Sequence, residues 1–198
     1  MVKQRKYLTR NEIEKILRAA ARGRHPQRDA CLLKMCFIHG FRVSELVRLT
    51  LSDINLEAGI VYVRRLKNGF STTHPLTPEE LPYLHAWLAH RFTLDDRAAP
   101  WLFLSQKGGP LCRQAVYSLL KRLGRLAGVD VTAHPHMLRH ACGFALADLG
   151  ADTRLIQDYL GHRNINHTVI YTASNSQRFN EIWSRNAARN LRARVKAE

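Results

Sequence analysis

Residues 134 to 143, HPHMLRHACG, place His134, His136, Arg139 and His140 within seven positions. On a helix, His136, Arg139 and His140 share one face, because residues three and four apart are neighbours. Two chemistries suit such a cluster. The first is metal binding, for which histidines at i and i+4 have a workable spacing. Met137 stands where a zinc-protease helix would carry its glutamate, and a guanidinium lies between the imidazoles, so a metal ion is disfavoured. The second is anion binding. Arg presents a planar fork of donors that matches phosphate oxygens. Imidazole adds a donor, and Pro135 fits the first turn of a helix, whose N-terminus favours negative charge. Taken alone, His-x-x-Arg is commonly a surface pair or a satisfied core pair, so its meaning depends on its company.

That company is cationic. The chain has 198 residues with 31 Lys+Arg against 16 Asp+Glu, a net charge of +15, which points to a polyanion as partner. Both ends are basic: residues 1–28 carry nine Lys/Arg against two Glu, and residues 178–198 carry six against two. Such ends are either solvated tails or flanking grips on a phosphate backbone. No apolar run approaches a membrane span, and the start lacks the apolar core of a secretory signal. Cys31, Cys36, Cys112 and Cys142 show no CxxC spacing, so structural zinc and disulfides are not expected and the thiols are read as reduced.

The elements that must position the cluster are mostly helical. Thr9 with Glu12 forms a capping box ahead of Ile13, Ile16, Leu17 and Ala20, and Gly23 closes that helix. A second helix fits Pro26 to His39; its run CLLKMCFIHG is apolar nearly all round and must be buried, and Gly40 ends it. VSELVRL forms a short helix. GIVYVRRLKNGFSTTHPL then changes period: β-branched residues flank Lys67-Asn68-Gly69, which predicts a hairpin turned at that tripeptide, with SDINL as a third strand. Helices follow over TPEELPYLHAWLAHRF, 113–128, 136–149, 153–160 and 175–190. Residues 93–100 are the most loop-like. The predicted fold class is therefore mainly α with a small antiparallel β-sheet.

Across these elements the chemistry-bearing residues run in a fixed order: Arg42, Lys67, His136-x-x-Arg139, Gly161-His162, then Tyr171 nine residues on. This order resembles the tyrosine recombinases over nearly the whole chain. In that family the motifs are Arg-x-x-Glu-Leu, a lysine at a β-turn, His-x-x-Arg, Gly-His and a nucleophilic tyrosine. Here they read Arg42-Val43-Ser44-Glu45-Leu46, Lys67, His136-Met137-Leu138-Arg139, Gly161-His162 and Tyr171. Each motif alone is weak, and the ordered set is specific. FIHGFRVSEL, RLKNGFSTTHPL, HPHMLRHACGFALADLGADTRLIQDYLGHRN and HTVIYTASN further resemble the small enterobacterial fimbrial recombinases, which invert a promoter-bearing DNA segment and so switch fimbriae on and off.

The resemblance implies the tyrosine recombinase catalytic-domain fold over 1–198, with a basic N-terminal helix at about 1–23 and a tail helix at about 174–198. It implies no separate N-terminal core-binding domain, since Arg42 lies only 41 residues from the start. A phosphodiester is a poor electrophile because it is already anionic, and attack loads further charge onto its nonbridging oxygens. Arg42 and Arg139 would clamp those oxygens, and His162 would donate a third bond. Tyr171 would attack phosphorus and leave a 3′-phosphotyrosine. His136 would serve as base or proton relay, Lys67 would protonate the departing 5′-oxygen, and Glu45 would orient its neighbours. Because the phosphotyrosine conserves the energy of the broken bond, no cofactor and no metal are implied.

The implied partners are double-stranded DNA with inverted-repeat target sites, a homo-tetramer on synapsed DNA, and accessory DNA-bending proteins. No membrane is involved, and the place of action is the cytoplasm, on the nucleoid. In SNSQRFNEIWSRNAARNL, Phe179, Ile182 and Trp183 share a helical face that packs on its own domain or docks on a neighbouring protomer. His74, His134, His140 and His167 are expected to be structural. Two rivals stand beside this reading: a type IB topoisomerase-like relaxing enzyme, and a non-catalytic DNA-binding regulator on the same scaffold.

Overall fold

A helix that is apolar on every side must lie at the centre, and α2 (Pro26–His39) does. Cys31, Leu32, Leu33, Met35 and Cys36 are all buried, and α2 packs against α1 (Arg10–Ala21), α4 (Leu81–Arg91) and α6 (Pro135–Asp148). The computed structural model describes residues 5–65, 71–94 and 99–173. The expected turn at 67–69, with Lys67, and the tail from 174 onward, with Phe179, Ile182 and Trp183, lie outside the described residues.

Local signals produce these elements where they were expected. Thr9 and Glu12 form the capping box of α1. Gly40 ends α2 in the left-handed region at φ 58°. α3 (Val43–Leu46) is a single turn, followed by a 3-10 turn over Leu51–Asp53. Cys112 caps α5 (Arg113–Leu126) by accepting from the Ala115 N–H. The four cysteines are free thiols, and three of them are buried. α4 begins at Leu81, four residues later than its apolar pattern suggests. Glu80 there binds back to the Thr77 N–H and hydroxyl and holds a turn open.

The sheet is antiparallel in the order β1-β2-β3, with β1 (Ile54–Asn55), β2 (Ile60–Val63) and β3 (Thr72–Pro75). Its register sets Val61 opposite His74 and Val63 opposite Thr72. The two-residue period buries Val61 and Val63 and, continuing past the strand, buries Arg65. His74 stacks on Tyr159 with ring centroids 3.9 Å apart and meets His39, which binds Glu80 at 2.7 Å. His74 is therefore a structural histidine of the core.

A smaller core joins the end of α6 to α7 (Thr153–Leu160) and α8 (Asn166–Ala173), built from Cys142, Ala147, Ile156, Leu160 and Tyr171. α8 is an unforeseen element. Thr168, Val169 and Ile170 are consecutive β-branched residues and weak helix formers. Packing overrides them: Thr168, Tyr171 and Thr172, at i, i+3 and i+4, form the buried face. Among the described residues, no helix is long and apolar enough to cross a membrane.

Candidate active site

Two glycine-stopped helices build the floor of the site. The last carbonyls of a helix have no partner within it and carry its negative dipole end. α2 stops at Gly40, and α7 stops at Gly161, where φ is 65°. Arg139, from α6, donates Nη1 to the Gly40 carbonyl at 2.5 Å and Nη2 to the Leu160 carbonyl at 2.6 Å. It is 1% exposed. Burial, with Arg42 and Arg65 nearby, lowers its pKa to about 10, so it remains a cation.

Arg42 caps the start of α3, two residues after the Gly40 stop. Its Nη1 binds Glu45 at 2.7 Å and its Nη2 binds the Gly161 carbonyl at 3.2 Å. Glu45 also accepts from the Arg42 backbone N–H at 2.8 Å and from Arg65 Nη1 at 2.8 Å. Arg65 completes its fork on the Tyr159 carbonyl. Two guanidinium groups thus share one carboxylate, while Arg139 is held by carbonyls alone, leaving an excess of positive charge that an anion would relieve.

The imidazoles differ in their supports. The His162 main chain is pinned twice to Gln157, through its N–H at 3.0 Å and its carbonyl at 2.9 Å. Its Nδ1 meets the Thr168 hydroxyl at 2.9 Å, which leaves Nε2 for a ligand. Burial and then Arg139 and Arg42 push its pKa down to about 3, so the ring is neutral. His136 stands at the first turn of α6 with part of its surface open to solvent; the part that is buried, and then Arg139, lower its pKa. Its ring meets that of His140 edge-on at 4.4 Å.

Tyr171 is 1% exposed, and its hydroxyl meets His140 Nδ1 at 3.0 Å. Its ring lies over Gly143, where a Cβ would come within 2.6 Å of Cζ, and packs edge-on against Phe144. Burial pushes the phenol up to about 12, partly offset by Arg139. Arg42, His136, Arg139, His140, His162 and Tyr171 all line one cleft of about 500 Å³, to which α8 adds Asn166, His167 and Ile170; among the described residues no carboxylate lines it. Among the described residues, no group of three or more His, Cys, Asp or Glu is placed to hold a metal ion.

The structure therefore brings together Arg42, Glu45, His136, Arg139, His162 and Tyr171. Lys67 lies outside the described residues. Two residues escaped the sequence reading. Arg65 carried a usable signal, a charged residue on the inward phase of β2. His140, which sequence context marks as structural, bonds the Tyr171 hydroxyl inside the cleft; it is the i+4 partner of His136 on the anion-binding face. His134 stays outside the cleft lining and stacks on Tyr117 at 6.4 Å.

An ordered set of arginines, histidines and a tyrosine, seated on this helical fold, is the arrangement of one family. The chain belongs to the phage integrase family, which it matches over residues 6–178, and is a tyrosine-type site-specific recombinase. It is 55% identical over 191 residues to the type 1 fimbriae regulatory protein FimB of Escherichia coli K12, covering 96% of each chain. The crystal structure of XerA recombinase superposes with a TM-score of 0.78 at 28% identity, over 91% of this chain and 64% of that one. XerH recombinase, crystallised on its palindromic difH substrate after cleavage, gives 0.75 at 27% identity, over 90% of this chain and 52% of that one.

Proposed function

We propose that the cleft cuts and rejoins DNA through a 3′-phosphotyrosine. A scissile phosphate entering it would meet Arg42, Arg139 and His162 as donors to the nonbridging oxygens. Each arginine is already oriented by main-chain carbonyls and keeps further N–H groups free in its fork of five. Donors fixed in advance where charge develops are each worth about 3–4 kcal/mol to the transition state. Tyr171 attacks phosphorus, the 5′-oxygen leaves, and Lys67 protonates it. His136, at the mouth, relays protons to solvent, and Glu45 sets the Arg42 fork. A 5′-hydroxyl from another strand reverses the step. The observation that carries this reading is the convergence of two guanidinium groups, a neutral imidazole and a phenol on one cleft that no carboxylate lines among the described residues.

The biological reading rests on 55% identity to a type 1 fimbriae regulatory protein across 96% of both chains. The protein inverts a DNA segment between inverted repeats and so controls fimbrial phase, acting in the cytoplasm as a homo-tetramer on two synapsed sites with DNA-bending proteins assisting. The net charge of +15 supports DNA as the partner. The test is incubation with inverted-repeat DNA, followed by trapping and mapping of the covalent adduct. An adduct at Tyr171, absent in Tyr171→Phe, is expected. A wild-type inversion rate for Tyr171→Phe would overturn the assignment. Efficient relaxation of a supercoiled plasmid lacking target sites would favour a topoisomerase instead.

A further inference from the structure

We propose that His140 Nδ1 is the group that accepts the proton of the attacking Tyr171 hydroxyl, with His136 handing that proton onward at the mouth of the cleft. The proposal rests on Tyr171 being the nucleophile and assigns what takes its proton.

The geometry is direct. The phenol oxygen and Nδ1 lie 3.0 Å apart, within reach for a proton transfer to a positioned base. Both side chains line the same cleft as Arg42, Arg139 and His162. The phenol is held from behind by Phe144 and by the close approach to Gly143, so its oxygen is aimed by packing as well as by the imidazole. His136 meets the far side of this pair edge-on, with ring centroids 4.4 Å apart, and is the more exposed of the two histidines. A proton leaving the buried phenol therefore has His140 as a hydrogen-bonded acceptor, with the more exposed His136 ring beside it.

Its surroundings keep the His140 ring neutral, so its Nδ1 lone pair faces the phenol unoccupied by a proton. Burial is the main cause, followed by His136 and Arg139 on its own helix, by Lys6 ahead of α1, and by His134; together they bring its pKa down to about 4. The phenol facing it from α8 is pushed up to about 12, so it holds its proton at neutral pH and needs an acceptor at the moment of attack. In the forward step the Tyr171 Oη–P bond forms, the P–O5′ bond breaks, the phenolic proton passes to His140 Nδ1, and the departing oxygen takes a proton from Lys67. On rejoining, the incoming 5′-hydroxyl gives up its proton to Lys67, and the phenol regains a proton from His140, resupplied through His136 from the mouth of the cleft.

Single-turnover cleavage of a nicked suicide site, scored as covalent adduct between pH 5 and 9 alongside site binding, tests this. His140→Gln keeps a hydrogen-bond acceptor near the phenol but cannot take its proton; His140→Ala opens room for free imidazole. Expected results are binding within twofold of wild type and adduct formation slowed about 10²–10⁴-fold in both variants. The remaining rate should climb with hydroxide concentration, where wild type is flat, and added imidazole should restore His140→Ala. Near-wild-type cleavage by His140→Gln would reduce His140 to a positioning residue and overturn the proposal. So would a pH profile parallel to wild type, or a hydroxide-dependent profile in His136→Gln but not in the His140 variants. In these cases Tyr171→Phe, run in parallel, would still form no adduct. If Tyr171→Phe does form one, the nucleophile assignment fails and the proposal falls with it.

Discussion

Glu45 serves two arginines that differ sharply in exposure, and their substitution should separate stability from catalysis. In the Arg65–Glu45 pair the side chains are 0% and 1% exposed; Arg42, on the other carboxylate oxygen, is 34% exposed. Removing one partner of a buried pair costs about 3–5 kcal/mol, because a desolvated charge is left behind. Glu45→Gln retains an acceptor but no charge, so the lower end applies, about 3 kcal/mol. For a chain of this size that is a fall in Tm of about 6–12 °C. Arg42→Gln removes a rim charge and leaves Glu45 paired with Arg65, so its cost stays under about 1 kcal/mol. Adduct formation should nonetheless fall about 10²–10³-fold. A third variant sharpens the contrast. In Glu45→Gln/Arg65→Met the orphaned cation is gone, so the double variant should melt above Glu45→Gln alone. Circular dichroism melts paired with suicide-substrate cleavage read all three. The reasoning fails if Glu45→Gln costs less than about 1 kcal/mol, or if the double variant is the least stable.

Gly40→Ala would force a side chain into φ 58° with its Cβ 2.4 Å from Leu160 Cδ2, disturbing both residues whose carbonyls hold Arg139; a loss of about 2–4 kcal/mol in urea unfolding and a drop in adduct formation are expected. Gly143→Ala should favour the isolated helix by about 1 kcal/mol, yet its Cβ would stand 2.6 Å from Tyr171 Cζ. Its expected signature is adduct formation reduced more than site binding. Burial, with His39 and Arg65, lowers the His74 pKa to about 3. Between that value and the ordinary ~6.5 the unfolded chain binds a proton that the folded one refuses. The stability from His74 is therefore complete above the ordinary value and lost as pH falls toward 3, with a slope of at most about 1.4 kcal/mol per pH unit. Melts from pH 7 to 4 should show a shallower slope in His74→Asn.

Most of the scaffold was legible because its signals are local. Apolar spacing with the Thr9–Glu12 box gave α1, the unbroken apolar run gave α2, and the glycine stops at 40 and 161 marked two helix ends. The site residues were legible as an ordered set, although no single one of them was informative. What escaped depended on tertiary context. α8 hides its buried face in Thr168, Tyr171 and Thr172, which hydrophobic periodicity does not count, and its β-branched run argues against a helix. Arg65 was hidden by its neighbour Arg64, which points outward, binds Asp53 at 2.8 Å and gives the pair the look of an ordinary basic surface. His140 could not be told from a structural histidine until α8 set a phenol against it.

The supports chosen for the arginines explain why the cleft stays receptive to an anion. A carboxylate holding each guanidinium would orient it but also cancel its charge, leaving little for a phosphate. A carbonyl at a helix C-terminus orients through a partial charge of roughly half an electron shared over the last turn, so the cation keeps most of its field. Arg139 relies on two such carbonyls, and Arg42 takes one from Gly161 beside its share of Glu45. The sequence trace of this design is indirect, since any residue supplies a carbonyl. It survives only as the glycines that let α2 and α7 stop abruptly and turn those oxygens inward, one of them two residues before Arg42 and the other directly before His162. Replacing Gly40 should therefore act on catalysis through Arg139, although the new Cβ would press first on Leu160 and Cys142, whereas a Cβ at Gly161 would itself meet Arg65 Nε at 2.8 Å and disturb the Glu45 pair that sets Arg42.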